Sequence, residues 1–415
     1  MGERAVSAFG MLVMMALAFA LCPPDRRRLV KLRTIGGGLV MLIAFALIVL
    51  RTPANRLFLL ANDAVDRLLA FSRDGGSFVF GRLATDPLSF GFIFAFQVLP
   101  TILFFSALMS LLYHLRVMPL VIQGLGKFLS RVLGTSGAES FSTVADIFVG
   151  QTEAPLVIRP YLAKMSVSEL NACMVAGFAT TAGGVLAAYV AMLSKAVPGI
   201  AGHLIACSVM SAPASLVIAK LMLPETVAHD AREAMANIPR SSENILDALT
   251  QGTGDGIRLA VNVGGMLIVF LAMTAMLNAA LGYLGAHVFG HALSLELIFG
   301  WAFAPLAWVM GVPSADVTKV AQLLGQKTVL NEFVAYSHMA EMLAKDPHWL
   351  SERGRVITAY ALCGFANFGS IGIQIGGYSG LAPERRGDIS RLAFRAMIGG
   401  LLATCLVACV AGVML

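Results

Sequence analysis

The chain has 415 residues, of which 58% are hydrophobic and 13% are charged, and its mean hydropathy is +0.79. Soluble globular domains carry roughly 25% charged residues, so this composition excludes a soluble fold and indicates a polytopic α-helical membrane protein. The formal net charge of +6 is informative through its location, because loops rich in Lys and Arg face the cytoplasm.

Apolar runs recur along the chain, and a bilayer core takes about 20 apolar residues per helix. Two short runs come first, at 5–21 and 34–50. The first is expected to be a transmembrane helix and not a signal peptide, because its leading residues are nearly neutral and no small-residue cleavage site follows. The longer runs lie at 88–113, 170–194, 196–219, 259–295, 356–383 and 396–415.

Clusters of positively charged residues predict how the chain is oriented in the membrane. The loops 25–33 (DRRRLVKLR) and 384–395 (ERRGDISRLAFR) are both expected in the cytoplasm. Both termini are then predicted on the external, periplasmic side of the cytoplasmic (inner) membrane. The segments 55–73, 117–131 and 229–249 carry charges at helical spacing and are predicted to be interfacial amphipathic helices.

Two segments, 138–163 and 297–340, are too polar and too proline-interrupted to cross the membrane as simple helices. Each has a carboxylate in its middle, Glu153 in the first and Glu332 in the second. Broken apolar segments in corresponding positions of two halves indicate a transporter's binding site.

The two broken segments begin similar series of elements. A polar residue and Glu153 are followed by GFATTAG at 177–183, and a polar residue and Glu332 are followed by GFANFGS at 364–370. In the topology derived from the positive loops, the chain enters the first unit from the cytoplasmic side of the membrane and the second from the external side. We therefore predict an inverted repeat, with chance similarity of short motifs as the alternative.

Three acidic side chains, Asp146, Glu153 and Glu332, are predicted at bilayer depth. An ionised carboxylate there costs about 2.5–3.5 kcal/mol, and irregular backbone survives there only when buried in protein or lining a wet cavity. A substrate or ion path is the expected role. The alternative is a structural ion pair, for example between Glu153 and Arg159.

The polar side chains of these segments favour an uncharged ligand that bears hydroxyl or amide groups. A phosphorylated ligand would call for Arg or Lys forks, which both motifs lack, although Lys327 and Arg159 lie nearby. Phe365 and Phe368 could offer an aromatic face to a ligand or pack in the core. The polar candidates are Gln151, Thr152, Glu153, Glu332, Asn367 and Ser370.

Other functional classes have weaker support. GTGD at 252–255 matches the G-x-G-D of intramembrane aspartyl proteases, but the chain has no Tyr-Asp partner, so we predict a polar turn that opens a helix at 257. The sequence contains no hydrolase, zinc-protease or phosphate-loop motif, which argues against an enzyme or an ATP-driven pump. A gate-type hairpin protein without transport activity remains an alternative, although it should lack the paired polar–Glu tips.

Five long motifs in order resemble the concentrative nucleoside transporter family, over roughly residues 85–415. The resemblance implies cation-driven nucleoside uptake by alternating access, no organic cofactor, a homotrimer, about eight transmembrane helices per protomer and two re-entrant hairpins. The motifs are ADIFVGQTEAPLVIRPYL (145–162), AGFATTAGGVLAAYV (176–190), SVMSAPASLVIAKLMLPET (208–226), KTVLNEFVAYSHM (327–339) and ITAYALCGFANFGSIGIQIGG (357–377).

The resemblance also implies roles for individual residues. Hairpin 1 and the helix after it would hold the nucleobase, hairpin 2 and its following helix would hold the ribose, and an aromatic ring would line the pocket. The base-binding residues would be Gln151, Thr152, Glu153 and Val185. The ribose-binding residues would be Glu332, Asn367 and Ser370, and the lining ring would be Phe365.

The family's cation site maps onto Asp146, Val149, Thr180 and Thr181, partly through backbone carbonyls. Here the chain departs from the family pattern, because Asp146 replaces the usual asparagine and Thr181 replaces a hydrophobic residue. Asp146 could bind Na⁺ or carry a proton itself. The hydroxyl and carboxyl oxygens favour Na⁺ slightly, so Na⁺ is the predicted coupling ion and H⁺ the alternative.

The predicted fold is therefore an all-α polytopic membrane protein with two hairpins in an inverted repeat and interfacial amphipathic helices. Residues 1–84 are expected to form the N-terminal transmembrane helices and an interfacial helix. Residues 85–135 are expected to form a scaffold or oligomerisation helix and a second interfacial helix. Residues 136–225 would form transport repeat 1, 226–295 an interfacial and a scaffold helix, and 296–415 transport repeat 2.

Overall fold

The computed structural model describes residues 2–51, 55–85, 93–151, 153–226, 242–290 and 292–415. All regular structure in these ranges is helical. Six helical segments are long and apolar enough to cross a membrane, namely Glu3–Ala20, Ala95–His114, Val167–Leu193, Ile200–Met222, Leu271–Val288 and Pro383–Met414. The predicted class, an all-α polytopic membrane protein, is confirmed.

The first part of the chain leads from the N-terminus to hairpin 1. Its helices are α1 (Glu3–Ala20), α2 (Leu32–Arg51), α3 (Asn55–Phe80), α4 (Leu99–His114) and α5 (Val117–Leu133). The predicted amphipathic segments 55–73 and 117–131 fall within α3 and α5. Most of the third, 229–249, lies outside the described residues.

The first repeat contains hairpin 1, a broken helix and one long helix. Hairpin 1 consists of α6 (Gly137–Asp146) and the turns Ala154–Val157 and Arg159–Leu162. The broken helix is α7 (Val167–Ala179) with α8 (Gly183–Leu193), and the long helix is α9 (Ile200–Met222). Each short turn has a proline in its first two positions, where its missing N–H costs nothing. The prolines therefore begin new turns after the hairpin tip.

The second repeat follows the long helix α10 (Ile245–Phe289) and, after α11 (Leu295–Val309), has the same order of elements as the first. These elements are α12 (Val317–Val329), α13 (Glu332–Lys345), α14 (Glu352–Leu362), α15 (Phe368–Leu381) and α16 (Arg386–Met414). Hairpin 2 is α12 with α13. The apolar runs 170–194 and 356–383, expected to span the membrane, are both interrupted, between α7 and α8 and between α14 and α15.

The base of hairpin 1 lies at the end of the molecule where α1 finishes. Lys220, near the end of α9, pairs with Glu139 in the first turn of α6 at 2.7 Å. Arg395 donates to the carbonyls of Leu21 and Met222, which ties the end of α1 to the end of α9.

The base of hairpin 2 lies at the opposite end, where α1 begins. Arg353, in the first turn of α14, pairs with Glu3 at 3.3 Å and donates to the carbonyl of Gly311 at 3.0 Å. The 18 residues of α1 rise about 27 Å between the two ends. The two hairpins therefore enter the protein from opposite ends, as an inverted repeat requires.

The breaks of the two interrupted helices touch each other. Gly364 has φ +104°, and a Cβ there would lie 2.6 Å from the Ala179 carbonyl oxygen. Its N–H donates to the Thr181 hydroxyl at 2.8 Å. Only glycine accommodates both the backbone conformation and the contact, so this position fixes the crossing of the two repeats.

Helices α4 and α10 pack closely along each other. A Cβ at Gly252 would lie 2.7 Å from the Cα of Ala107, and one at Gly256 would lie 2.8 Å from the Cα of Leu103. Small residues at this spacing let membrane helices approach closely. The predicted polar turn at 252–255 is therefore wrong: this segment lies inside the continuous helix α10, and its glycines serve helix packing.

Candidate functional site

The tip of hairpin 2 presents a buried carboxylate. The side chain of Asn331 accepts the Val334 N–H at 2.9 Å and thereby caps α13, which places Glu332 at the first helical position. Glu332 is 3% exposed. Its Oε1 accepts from the Tyr189 hydroxyl and its Oε2 from the Asn367 amide, both at 2.9 Å.

This carboxylate is joined to the tip of hairpin 1. The Asn367 side chain caps α15 by accepting the Ser370 N–H at 2.8 Å. The Ser370 hydroxyl accepts from the amide of Gln151 at 3.1 Å. A continuous chain of hydrogen bonds thus runs from Glu332 through Asn367 and Ser370 to Gln151 and links both hairpins to the second broken helix.

Gln374 extends this chain, although the sequence reasoning did not select it. Its amide donates to the Gln151 side-chain oxygen and to the Met174 carbonyl, each at 3.1 Å. A Cβ at Gly177 would lie 2.8 Å from the Gln374 amide nitrogen, so that glycine makes room for it. The sequence feature that could have indicated Gln374 is its amide side chain, which stands among the small and apolar residues of GSIGIQIGG.

Tyr189 was also missed. Its position in the apolar run of α8 gave no reason to separate it from core residues. It is fully buried, with ring centroids 4.8 Å from Phe333 and 4.5 Å from Tyr336. These contacts position the hydroxyl that bonds Glu332.

Glu153 differs from Glu332 because it is exposed. It lies within electrostatic range of Asp255 on α10 and of Tyr113 on α4, so it faces the pair of helices that pack along each other. Among the ion pairs of the described residues, none joins Glu153 to Arg159. The neighbouring Thr152 lies outside the described residues.

The apolar candidates have different surroundings. Val185 is 3% exposed near the start of α8, and Phe365 is half-buried against the core. Phe368 instead stacks on Phe394 of α16, with ring centroids 6.3 Å apart. Phe365 therefore remains a candidate for lining a ligand site, and Phe368 packs elsewhere.

The predicted cation residues meet where the tip of hairpin 1 lies against the break between α7 and α8. The Gly183 N–H donates to the Phe148 carbonyl at 3.0 Å, and a Cβ at Gly150 would lie 2.8 Å from the Ala182 Cβ. This packing brings half-buried Val149 and the last turn of α6 to the break.

The polar side chains at this break differ in whether their oxygen atoms have hydrogen-bond partners. The Thr180 hydroxyl donates to the Ala176 carbonyl at 2.8 Å, and the Thr181 hydroxyl accepts from Gly364. Asp146 is 1% exposed, and neither of its carboxylate oxygens has a hydrogen-bond partner among the described residues. A buried carboxylate without partners fits a small hard cation or a bound proton.

Cysteine and histidine form no metal cluster in the part of the chain that the structure describes. All six cysteines are buried and free, and the described residues contain no group of three His, Cys, Asp or Glu side chains able to hold a metal ion. The Asp146, Thr180 and Thr181 side chains offer oxygen atoms to a coupling cation.

Comparisons with protein families give consistent matches along the chain. Residues 9–83 match a model described as the N-terminus of the Na⁺-dependent nucleoside transporter, and residues 203–412 match the model of its C-terminus. Between them, residues 95–196 match a model described as nucleoside recognition, or Gate.

Individual proteins match over nearly the whole chain. An uncharacterized transporter of Haemophilus influenzae is 45% identical over 98% of this chain and 96% of its own length. Sodium/nucleoside cotransporter 1 of Rattus norvegicus is 40% identical over 99% of this chain, which spans 64% of the rat protein. The mammalian relative is thus considerably longer.

Solved structures of CNTnw match in more than one state. The inward-facing substrate-bound structure has a TM-score of 0.93 at 42% identity and covers 99% of this chain and 98% of its own. An outward-facing structure of a CNTnw variant has a TM-score of 0.92 at 41% identity, covering 99% and 97%.

Proposed function

This chain belongs to the family of Na⁺-dependent nucleoside transporters, and we propose that its nucleoside site is formed jointly by the tips of its two hairpins. It is a multi-pass membrane transporter and not an enzyme. It carries nucleosides by cation-coupled symport with alternating access. The observation that carries the site assignment is the hydrogen-bond chain from Glu332 to Gln151.

Glu332, Asn367 and Ser370 bind the ribose in this proposal. Each carboxylate oxygen accepts two hydrogen bonds, and each oxygen of Glu332 accepts one in the structure. The remaining capacity suits two neighbouring sugar hydroxyls. A buried anion that already has protein donors also needs no cationic ligand, which favours an uncharged solute.

Gln151, Thr152 and Glu153 bind the nucleobase, and Val185 and Phe365 contact its apolar faces. In the structure Gln151 bonds Ser370 and Gln374, so an entering nucleoside exchanges its own polar groups for these contacts. Glu153 is exposed and lies within electrostatic range of Asp255 on α10, which supports a contact with a ligand between the hairpins and this helix.

The coupling ion binds at Asp146, near Val149, Thr180 and Thr181. The carboxylate oxygens of Asp146, which have no hydrogen-bond partner within the described ranges, support a cation there. The C-terminal end of the half-helix α7 supplies further carbonyl oxygens, which attract cations in broken transporter helices. We propose Na⁺ as this ion. A proton carried on Asp146 is the alternative.

The assembly is proposed to be a homotrimer in the cytoplasmic membrane. Helix α10 presents exposed apolar side chains along its length, including Val261, Ile268 and Leu284. The Arg4 guanidinium donates to the Leu415 carbonyl at 2.7 Å, so the two termini lie together. Their shared location agrees with the expectation that both are external.

Radiolabelled uridine uptake into proteoliposomes under separately imposed gradients tests this function. An inward Na⁺ gradient should drive accumulation, and a pH gradient alone should not. Accumulation with the pH gradient alone would favour the proton alternative. Equal uridine entry into protein-free liposomes, or none under either gradient, would contradict nucleoside symport.

A further inference from the structure

Each hairpin has one buried ionisable side chain in the last turn of its first helix. In α6 this residue is Asp146, and in α12 it is Lys327, which has no exposed surface. Asp146 faces the end of α7, because a Cβ at Gly177 would lie 3.5 Å from its Oδ1. The two inverted units therefore place opposite charges at corresponding helix breaks.

Lys327 bonds three oxygens at the break between α14 and α15. Its Nζ donates to the carbonyls of Ala361 at 2.8 Å and Cys363 at 3.3 Å. It also lies 3.1 Å from the hydroxyl of Thr404 on α16. Two of these oxygens belong to the end of α14 and the residue that follows it, where helix carbonyls lack intrahelical partners.

The hydrogen-bond pattern requires a protonated amine. The Thr404 hydroxyl donates its own hydrogen to the Leu401 carbonyl at 3.0 Å, so its oxygen accepts from Lys327. All three contacts then need a hydrogen from Nζ, and a lysine has three N–H donors only as an ammonium. The second break thus contains a positive charge.

The same oxygen set would suit a free cation. Carbonyls at the C-terminal end of a half-helix, joined by a hydroxyl, are the ligands that bind Na⁺ in broken transporter helices, and the helix dipole adds a partial negative charge there. At the first break the corresponding side chain is a carboxylate, which leaves that position open to a mobile cation.

We propose that the Lys327 ammonium is a tethered cation that occupies the cation position of the second repeat, so that each nucleoside is coupled to a single mobile cation at Asp146. This inference rests on the proposed function. The charge of Lys327 also acts on Glu332. The positive charge of Lys327 thereby stabilises the ionised carboxylate of Glu332, which receives the ribose.

The first test measures the charge moved per uridine in the wild-type protein, from the membrane potential at which net uridine flux stops in proteoliposomes. One charge per uridine is expected, whether the ion is Na⁺ or H⁺. Two charges per uridine would overturn this inference and leave the proposed function intact. Absence of coupled uridine flux would contradict the proposed function as well.

The second test compares two substitutions by uridine binding to the purified protein. Lys327→Ala removes the ammonium and leaves room, whereas Lys327→Met removes the charge but keeps the bulk. Both should weaken uridine binding about tenfold or more, since a hydrogen bond to a charged group contributes roughly 1.5–3 kcal/mol. Added methylammonium should restore binding to Lys327→Ala and leave Lys327→Met unchanged.

A purely structural helix cap predicts a different result. The difference lies in the charge moved per uridine by Lys327→Ala, because methylammonium would restore a lost cap too. A vacated cation position admits a second Na⁺, so the ratio should rise from one to two. A ratio that stays at one, or a failure of methylammonium to rescue Lys327→Ala, would overturn the tethered-cation assignment. Thermal unfolding of both variants, with and without uridine, identifies a variant that fails to fold. In that case the charge ratio of the wild-type protein decides.

Discussion

At the scale of residues, the site depends on a few polar side chains whose partners come from the other repeat. Glu332 of hairpin 2 bonds Tyr189 of the first repeat, and Gln151 of hairpin 1 bonds Ser370 and Gln374 of the second. Neither repeat could satisfy these buried groups alone. Removing one member leaves a buried donor or acceptor unpaired, which costs about 1–3 kcal/mol.

Glu332→Gln should nearly abolish uridine uptake. An amide oxygen accepts the ribose hydroxyls more weakly than a carboxylate, and the NH₂ group of the glutamine would face one of the two donors, Tyr189 or Asn367. Losing two charged hydrogen bonds of roughly 1.5–3 kcal/mol each corresponds to about a hundredfold loss or more in uptake efficiency. The measurement is initial uptake rate against uridine concentration.

The matched control for that change is Glu341→Gln on the same helix. Glu341 is exposed and pairs with Lys345 at 2.6 Å; this hydrogen bond lowers the pKa of its carboxyl, so at neutral pH the substitution also removes one negative charge from α13. Uptake should stay near normal. Near-normal uptake by Glu332→Gln would remove Glu332 from ribose binding.

Asp146→Asn should weaken the response to the coupling ion. The substitution keeps the shape of the side chain and removes its formal charge, so half-saturation of uptake should need about tenfold more Na⁺. Loss of the titratable group should also remove any driving effect of a pH gradient. An ion dependence identical to wild type would exclude Asp146 from the coupling site.

At the scale of elements, sequence reasoning found the interrupted segments but not their internal geometry. The paired polar–Glu motifs predicted two broken segments because a carboxylate within an apolar run is costly in lipid and typically lines a substrate or ion path. The family resemblance implied that these segments form hairpins. The breaks after Ala179 and Leu362 were harder to locate, since small residues permit both close packing and unwinding. The GTGD segment was wrongly predicted to form a turn, because glycines also occur inside membrane helices, where they allow close packing against another helix.

Gly364→Ala should destabilise the protein and reduce transport. A Cβ at φ +104° and 2.6 Å from the Ala179 oxygen forces the two breaks apart, and strained backbone of this kind costs about 1–3 kcal/mol. The measurement is the thermal unfolding midpoint in detergent.

Gly372→Ala in α15 is the control for that variant, because a Cβ there meets nothing within 4 Å. It should leave the midpoint unchanged or raise it, since alanine favours helix by up to about 1 kcal/mol over glycine. Equal midpoints for wild type and Gly364→Ala would show that the crossing of the breaks does not require glycine.

At the scale of the whole molecule, composition and charge predicted more than any single motif did. The membrane class follows from hydropathy, and the opposed hairpins agree with the topology derived from two positive loops. The contacts between repeats could not be predicted, because Gln374 and Tyr189 acquire their partners from segments distant in sequence. Within the second repeat, Lys327 likewise bonds residues that are distant in sequence. The residue roles implied by family resemblance remain predictions.

The orientation is testable by fusing a reporter after Leu415. With both termini external, alkaline phosphatase fused there should be active and a cytoplasmic fluorescent protein should be dark in a Gram-negative host. A fusion within the loop 25–33 should give the reverse pattern. The opposite result at both positions would invert the membrane orientation proposed for the hairpins.

The joint use of both hairpin tips is tested most directly by determining the structure of the protein with bound uridine. We expect uridine between the tips, with its ribose within hydrogen-bond distance of Glu332 and its base beside Gln151 and Glu153. Uridine bound by one hairpin alone, or at a site that contacts neither Glu332 nor Gln151, would contradict it.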